Sequence, residues 1–284
     1  MPKLVLSDEE LNNILVDYNN GMSMNDIGKK YHHNHNTIKR YFLEHNIPVR
    51  NRQESLLVSK KKKESDIKKR IYSVNDDFFS EQNSDMAYML GFLMADGNVG
   101  KKSNRIQIAL SIIDKDFLVK VYEKIGGSPV VEYVSNGKPT VRWQCISSKI
   151  KQTLIEYDVI PNKTGFAKIP KKLNKQYYPD FIRGYFDGDG SIYEDNAVGL
   201  NITSYNKEIL QNILDVLEEL GVEPVTIHEY AYRLGNYYIR YRTKSAIKIY
   251  NIFYKNKDCF CLQRKYDKFT KIVQKKKDST RLRT

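Results

Sequence analysis

No run of about 18 apolar residues occurs along the 284 positions, so the chain offers no ordinary transmembrane helix. The opening Met-Pro-Lys-Leu-Val-Leu-Ser-Asp also lacks the apolar stretch of a signal peptide. Cysteine is scarce. Cys145, Cys259 and Cys261 are odd in number and fit no zinc spacing. They point to reduced thiols in a cytosol-like compartment, whether a bacterial or phage-infected cell or an organelle matrix. Acidic residues are outnumbered, 34 against 47 basic, which leaves a net charge of +13. Such an excess attracts polyanions by releasing their counterions. Nucleic acid is therefore the predicted partner, against the plainer reading of an inert basic surface. Apolar residues are in good supply at 40%, enough for a packed core and too many for wholesale disorder.

Residues 7–46 predict three short helices within a small all-α domain over 1–48. Ser7 with Glu10 and Ser23 with Asp26 each pair a hydroxyl with an acid three residues on, which satisfies open backbone donors at a helix start. Leu11, Ile14, Leu15 and Tyr18 follow at helical spacing, and Asn20-Gly21 ends the run. After the turn His32-His33-Asn34, a third helix turns Ile38, Tyr41 and Phe42 inward. It leaves His35, Asn36, Thr37, Lys39 and Arg40 outside. The segment YNNGMSMNDIGKKYHHNHNTIKRYFLEHNIPVR resembles a helix-turn-helix of the resolvase-invertase kind. The resemblance implies a third helix lying in the major groove with those five residues on DNA. The spacing of His32, His33 and His35 suits turn or phosphate contacts better than zinc.

Residues 49–83 predict a basic linker, since Lys60 to Lys63, Lys68, Lys69 and Arg70 repel one another among few core residues. It is either an arm along phosphates or a solvated tether. Lys275, Lys276, Lys277, Arg281 and Arg283 mark residues 271–284 as a basic, disordered tail. Between these lies a repeat over 84–270, with copies at 84–165 and 175–270. One copy opens DMAYMLGFLMADGNVG and the other PDFIRGYFDGDGSIY. Each continues with an alternating strand (Ile106, Ile108, Leu110, Ile112; then Val198, Leu200, Ile202). A helix to Gly126 or Gly221, a hairpin and a Lys-led helix complete each copy. The fold class expected is α+β, a pseudo-twofold αββαββα repeat behind a small all-α domain.

Met89–Gly97 (MLGFLMADG) and Ile182–Gly190 (IRGYFDGDG) are similar to the motif of LAGLIDADG homing endonucleases. The residues themselves say why. Gly91 and Ala95 lie four apart, as do Gly184 and Gly188, which puts a small-residue stripe on each helix and lets two helices approach closely. Asp96 and Asp189 fall in the last turns, each before a glycine suited to a helix C-cap. An aspartate there opposes the helix dipole, so capping is a poor explanation for it. Two carboxylates side by side call for a cation, and oxygen ligands suit Mg²⁺, with Mn²⁺ able to substitute. The backbone of Ala95 and Gly188 would add ligands. Asp187 is matched by Met94 in the other copy and is not counted as catalytic.

The resemblance further implies Lys149 and Lys244 as catalytic cations at each hairpin's end. It implies Asp114 and Asn206 as polar support behind the metal ligands. It also implies a concave sheet surface for double-stranded DNA, presented by one parity of each strand. These residues are Arg105, Gln107 and Ser111; Arg142, Gln144 and Ile146; and Tyr238, Arg240 and Arg242. The activity implied is intron-encoded, site-specific double-strand cleavage by a monomer, since both acids lie in one chain. A non-cleaving DNA-binding regulator or an intron RNA maturase is the alternative, and a maturase role that binds intron RNA can coexist with cleavage. Ends without splice-junction residues disfavour an intein.

Overall fold

A computed structural model of the chain describes residues 6–51, 54–55, 72–163, 165–194, 198–256 and 259–281. The linker lysines from Lys60 to Lys69, with Arg70 and Arg283, lie outside them, as do the side chains of Lys276, Lys277 and Arg281. No described helix is long and apolar enough to cross a membrane. The chain divides into two compact units, residues 1–71 and 72–284.

In the first unit, α1 (Asp8–Asn19), α2 (Met24–Lys30) and α3 (His35–Glu44) start as the sequence predicts. Ser7 Oγ accepts from Glu10 N at 3.2 Å. Ser23 Oγ accepts from Asp26 N at 3.1 Å and donates to its carboxylate at 2.8 Å. Ile14, Tyr18, Ile27, Ile38 and Phe42 form a separate core. The turn between α2 and α3 is tight: a Cβ on Gly28 would stand 2.6 Å from the His33 carbonyl oxygen. Arg50 closes the unit by donating to the carbonyls of Tyr18 and Met22, each at 2.8 Å.

The second unit is the expected repeat. Copy one runs α4 (Ser84–Asp96), β1 (Gly97–Val99), β2 (Arg105–Ser111), α5 (Lys115–Ile125), β3 (Ser128–Ser135), β4 (Lys138–Ile146) and α6 (Ser148–Glu156). Copy two runs α7 (Tyr178–Asp189), β5 (Gly190–Glu194), β6 (Val198–Ser204), α8 (Lys207–Glu219), β7 (His228–Glu229), β8 (Tyr237–Arg242) and α9 (Thr243–Phe253). A further helix, α10 (Gln263–Arg281), follows. Each copy forms an antiparallel four-stranded sheet, in the orders β1-β2-β4-β3 and β5-β6-β8-β7. Alternation decides the faces. Ile106 and Ile108, with Val141, Trp143 and Cys145, are buried, as are Leu200, Ile202, Ile239 and Tyr241. The opposite parity faces away from that core.

Three expectations change. Residues 72–83 are packed rather than a solvated tether: Phe79 is buried in the core, Val74 bridges Gly126, and Gln82 Nε2 donates to Tyr157 Oη at 3.1 Å. The tail is helical to Arg281, because Ile272 and Val273 supply an apolar face that buries against the core. Gly97 and Gly190 are the C-cap residues expected, but with extended backbone (φ −75° and −102°) rather than the left-handed conformation usual for a glycine there. Their reason is space: a Cβ would stand 2.7 Å from Leu93 O in one case and 2.5 Å from Phe186 O in the other.

Candidate active site

Helices α4 and α7 cross at the centre of the second unit with their backbones in contact. A Cβ on Gly91 would fall 1.9 Å from Phe181 O, and one on Gly184 would fall 2.0 Å from Tyr88 O. One turn on, a Cβ at Gly188 would meet Ala95 Cβ at 2.4 Å and lie 3.5 Å from Asp96 Cγ. The small-residue stripes therefore act as the sequence predicts, and they bring the last turns of both helices together. Those turns carry Asp96 and Asp189.

Both carboxyls bind protons more tightly than usual. Burial pushes Asp189 up to about 6, and the negative charge of Asp96 adds to it. Asp96 keeps an exposed edge, yet the protein around it raises its pKa too. That mutual strain tests the fit of a metal. A divalent cation shared by two crowded carboxylates relieves the repulsion and the desolvation together. An all-oxygen donor set suits Mg²⁺ or Mn²⁺. Among the described residues no cluster of three His, Cys, Asp or Glu side chains forms. Such an ion would have these two carboxylates from side chains, the last-turn carbonyls of Ala95 and Gly188 beside them, and open positions for water and phosphate.

The cations that act most on the pair are Lys163, Lys265 and Arg264, not Lys149 or Lys244. Lys149 is exposed at the start of α6 and pairs with Asp77, a residue of the packed 72–83 segment. Lys244 is exposed in the first turn of α9. Lys265 is buried and donates to the carbonyls of Phe186 (2.8 Å), Asp187 (2.7 Å) and Gly190 (2.6 Å), so it caps α7; burial lowers its pKa to about 8. Lys163 donates to Gly97 O at 2.5 Å at the corresponding end of α4, and burial lowers its pKa as well. The repeat arithmetic misses this pair because Lys163 lies 67 positions after its aspartate and Lys265 lies 76 after its own.

Asp114 is buried and accepts from Arg264 Nε at 2.8 and 3.0 Å, and its charge also raises the Asp96 pKa. Asn206 caps α8 instead: Oδ1 accepts from Glu208 N at 3.0 Å, and Nδ2 donates to Ala167 O at 2.9 Å. Its backbone N–H donates to Ser204 Oγ at 3.0 Å, so it reaches Asp189 only through other residues. Asp187 is buried and accepts from Tyr88 Oη (2.7 Å) and Leu262 N (2.8 Å).

The sheet residues sit as their parity predicts. Arg105, Ser111, Ile146, Arg240 and Arg242 are exposed, and Gln107, Arg142, Gln144 and Tyr238 are half-buried. Gln107 faces Gln144 across β2 and β4, and Tyr238 faces Thr203 across β8 and β6. The Arg240 guanidinium lies 5.3 Å from the ring centres of both Tyr193 and Tyr238. In the first unit His35, Asn36, Lys39 and Arg40 are exposed on α3 and Thr37 is half-buried.

Two αββαββα repeats, joined through glycine-lined helices that end in paired aspartates, define a pseudo-dyad α+β protein. The LAGLIDADG-like domain family matches residues 177–252, the second of the two repeats, so the chain carries a LAGLIDADG-like domain. An uncharacterised protein of Methanocaldococcus jannaschii is 28% identical over 205 residues, which span 66% of this chain and 68% of that protein. The I-SmaMI LAGLIDADG homing endonuclease bound to cleaved DNA is similar at 15% identity and a TM-score of 0.47, over 71% of this chain and 92% of that one. The N-terminal LAGLIDADG domain of DUF199/WhiA is similar at 17% identity and a TM-score of 0.43, over 60% and 81%.

Proposed function

We propose that this chain is a site-specific DNA endonuclease that hydrolyses phosphodiesters in both strands of a long duplex target with Mg²⁺ or Mn²⁺ bound. The observation that carries the reading is the pairing of Asp96 and Asp189 at the crossed ends of α4 and α7, where both carboxyls bind protons more tightly than usual. A bound divalent ion supplies charge stabilisation and an acidified water. The protein's own part is positional. The two carboxylates would hold the ion. Lys163 and Lys265, fixed on Gly97 O and Gly190 O, set positive charge where a phosphate gains negative charge. In hydrolysis a water oxygen bonds to phosphorus as the bond from phosphorus to one ester oxygen breaks, and that oxygen leaves with a proton. Arg105, Gln107, Arg142, Gln144, Tyr238, Arg240 and Arg242 would face base edges and phosphates. The α3 face would extend the footprint.

The test is incubation with a randomised duplex library, with and without Mg²⁺, followed by sequencing of cut ends. Specific cuts are expected from the wild type and none from Asp96→Asn or Asp189→Asn. Binding without cuts under any divalent metal would replace this reading with a non-cleaving DNA-binding regulator or an RNA maturase.

A further inference from the structure

The outward faces of the two sheets differ at matching positions. Gly190 pairs with Ile202 and Gly97 with Ile108, so Gly199 corresponds to Arg105 and Asn201 to Gln107. Asn201 pairs with Arg240 and Gln107 with Gln144, so Arg240 stands where copy one has Gln144. Three residues past Gly190 stands Tyr193; three past Gly97 stands Gly100, which brings no ring. Tyr193 pairs with Gly199, and the glycine leaves room for the phenol to lie across β6: a Cβ there would stand 2.0 Å from Tyr193 Cζ. The Arg240 guanidinium lies over that ring, 5.3 Å from its centre, and over Tyr238 at the same distance, yet Arg240 stays exposed. Tyr238 is itself held: its ring packs on Tyr230 at 4.5 Å and stacks on His228 at 5.3 Å. Asn201 Nδ2 in turn donates to Tyr230 Oη at 2.9 Å.

We propose that Tyr193 and Tyr238 are positioning residues that clamp the Arg240 guanidinium for base readout, so that guanine is the base most strictly required in the half-site covered by the second copy. The proposal rests on the DNA-facing role given to this sheet above and needs no cleavage. A guanidinium presents its N–H donors as a rigid planar fork, which matches O6 and N7 of guanine in the major groove. A long side chain on an open strand samples many rotamers, and ordering it opposes binding. Two rings against the guanidinium fix its plane before DNA arrives. The position uses the ring of Tyr193 and not its hydroxyl, because Oη is buried with no hydrogen-bond partner among the described residues. The plainer alternative is that the rings only cover the sheet and Arg240 is one phosphate contact among several.

Tyr193→Phe keeps the ring, Tyr193→Leu removes it, and Arg240→Lys keeps the charge without the fork. Each is made in the full chain with Asp96→Asn, to bind without cutting, and incubated with a randomised duplex library and Mg²⁺. The retained duplexes are then sequenced. Without a further change, guanine should be enriched by about tenfold or more over the other bases at one position. Tyr193→Phe should keep that ratio, Tyr193→Leu should lower it by about two- to fivefold, and Arg240→Lys should abolish it. Preferences at the remaining positions should hold in all three. In the free protein the Arg240 Cδ protons, shielded by the two rings, should move downfield in Tyr193→Leu and stay in place in Tyr193→Phe. An unchanged guanine ratio in Tyr193→Leu, or a loss of preference spread evenly over all positions, overturns the clamp and leaves DNA binding standing. If no duplex is retained at all, the DNA reading and the guanine requirement fall together. Arg240 proton shifts that ignore Tyr193→Leu refute the clamp in either case.

Discussion

Burying a carboxylate beside another carboxylate costs stability, and Asp189 suffers both effects. Its pKa rises from 3.8 to about 6, so the folded chain binds more protons than the unfolded chain between those values. Its contribution to stability therefore falls as pH rises through that window and stays lost at neutral pH. Asp189→Asn removes the penalty. In metal-free buffer the variant should be more stable than wild type by about 1–2 kcal/mol at pH 7 and should lose that advantage near pH 3.5. Urea melts at the two pH values check this; an equal gain at both would mean that proton linkage is not the cause. Mg²⁺ should then stabilise the wild type more than the variant, because only the folded wild type offers paired carboxylates.

Along the crossed helices the energy is steric. Gly91→Ala drives a methyl into the Phe181 carbonyl and Gly184→Ala drives one into the Tyr88 carbonyl, and a backbone oxygen cannot swing aside. Each should cost about 3 kcal/mol or more and separate the two aspartates. Gly188→Ala differs because its obstacle is a methyl. The double variant Gly188→Ala with Ala95→Gly should recover most of the loss, which a double-mutant cycle in urea would measure. Failure to recover would place the clash in the backbone there too.

These helices were legible in the sequence because small residues at a spacing of four have a single geometric meaning, and the sheet faces because alternation has only two phases. Lys163, Lys265 and Arg264 were not. They reach the centre from segments after the third helix of each copy, where the copies fall out of step, and a lysine that caps a helix by folding back has no local pattern. Lys149 and Lys244 do lie at helix starts, where periodicity locates them, but periodicity says nothing about what those starts face.

Taken whole, the chain has two cores that share no described residue, one of Ile14, Tyr18, Ile27, Ile38 and Phe42 and one around α4 and α7. Deleting residues 1–50 therefore leaves the second core intact, and cleavage at saturating DNA should proceed at the full rate. Binding should not survive unchanged. If α3 enters a groove with His35, Asn36, Lys39 and Arg40, a tether turns its contact into an intramolecular one at roughly millimolar effective concentration. Removing it should weaken binding by about a hundredfold or more. Lost phosphate contacts would also flatten the salt dependence, by about one unit of slope for each. Titrating the full and shortened chains against a cut site at several salt concentrations separates these effects. Equal affinities with equal slopes would leave the first unit without a role on DNA, and the +13 charge would have to act through the sheets alone.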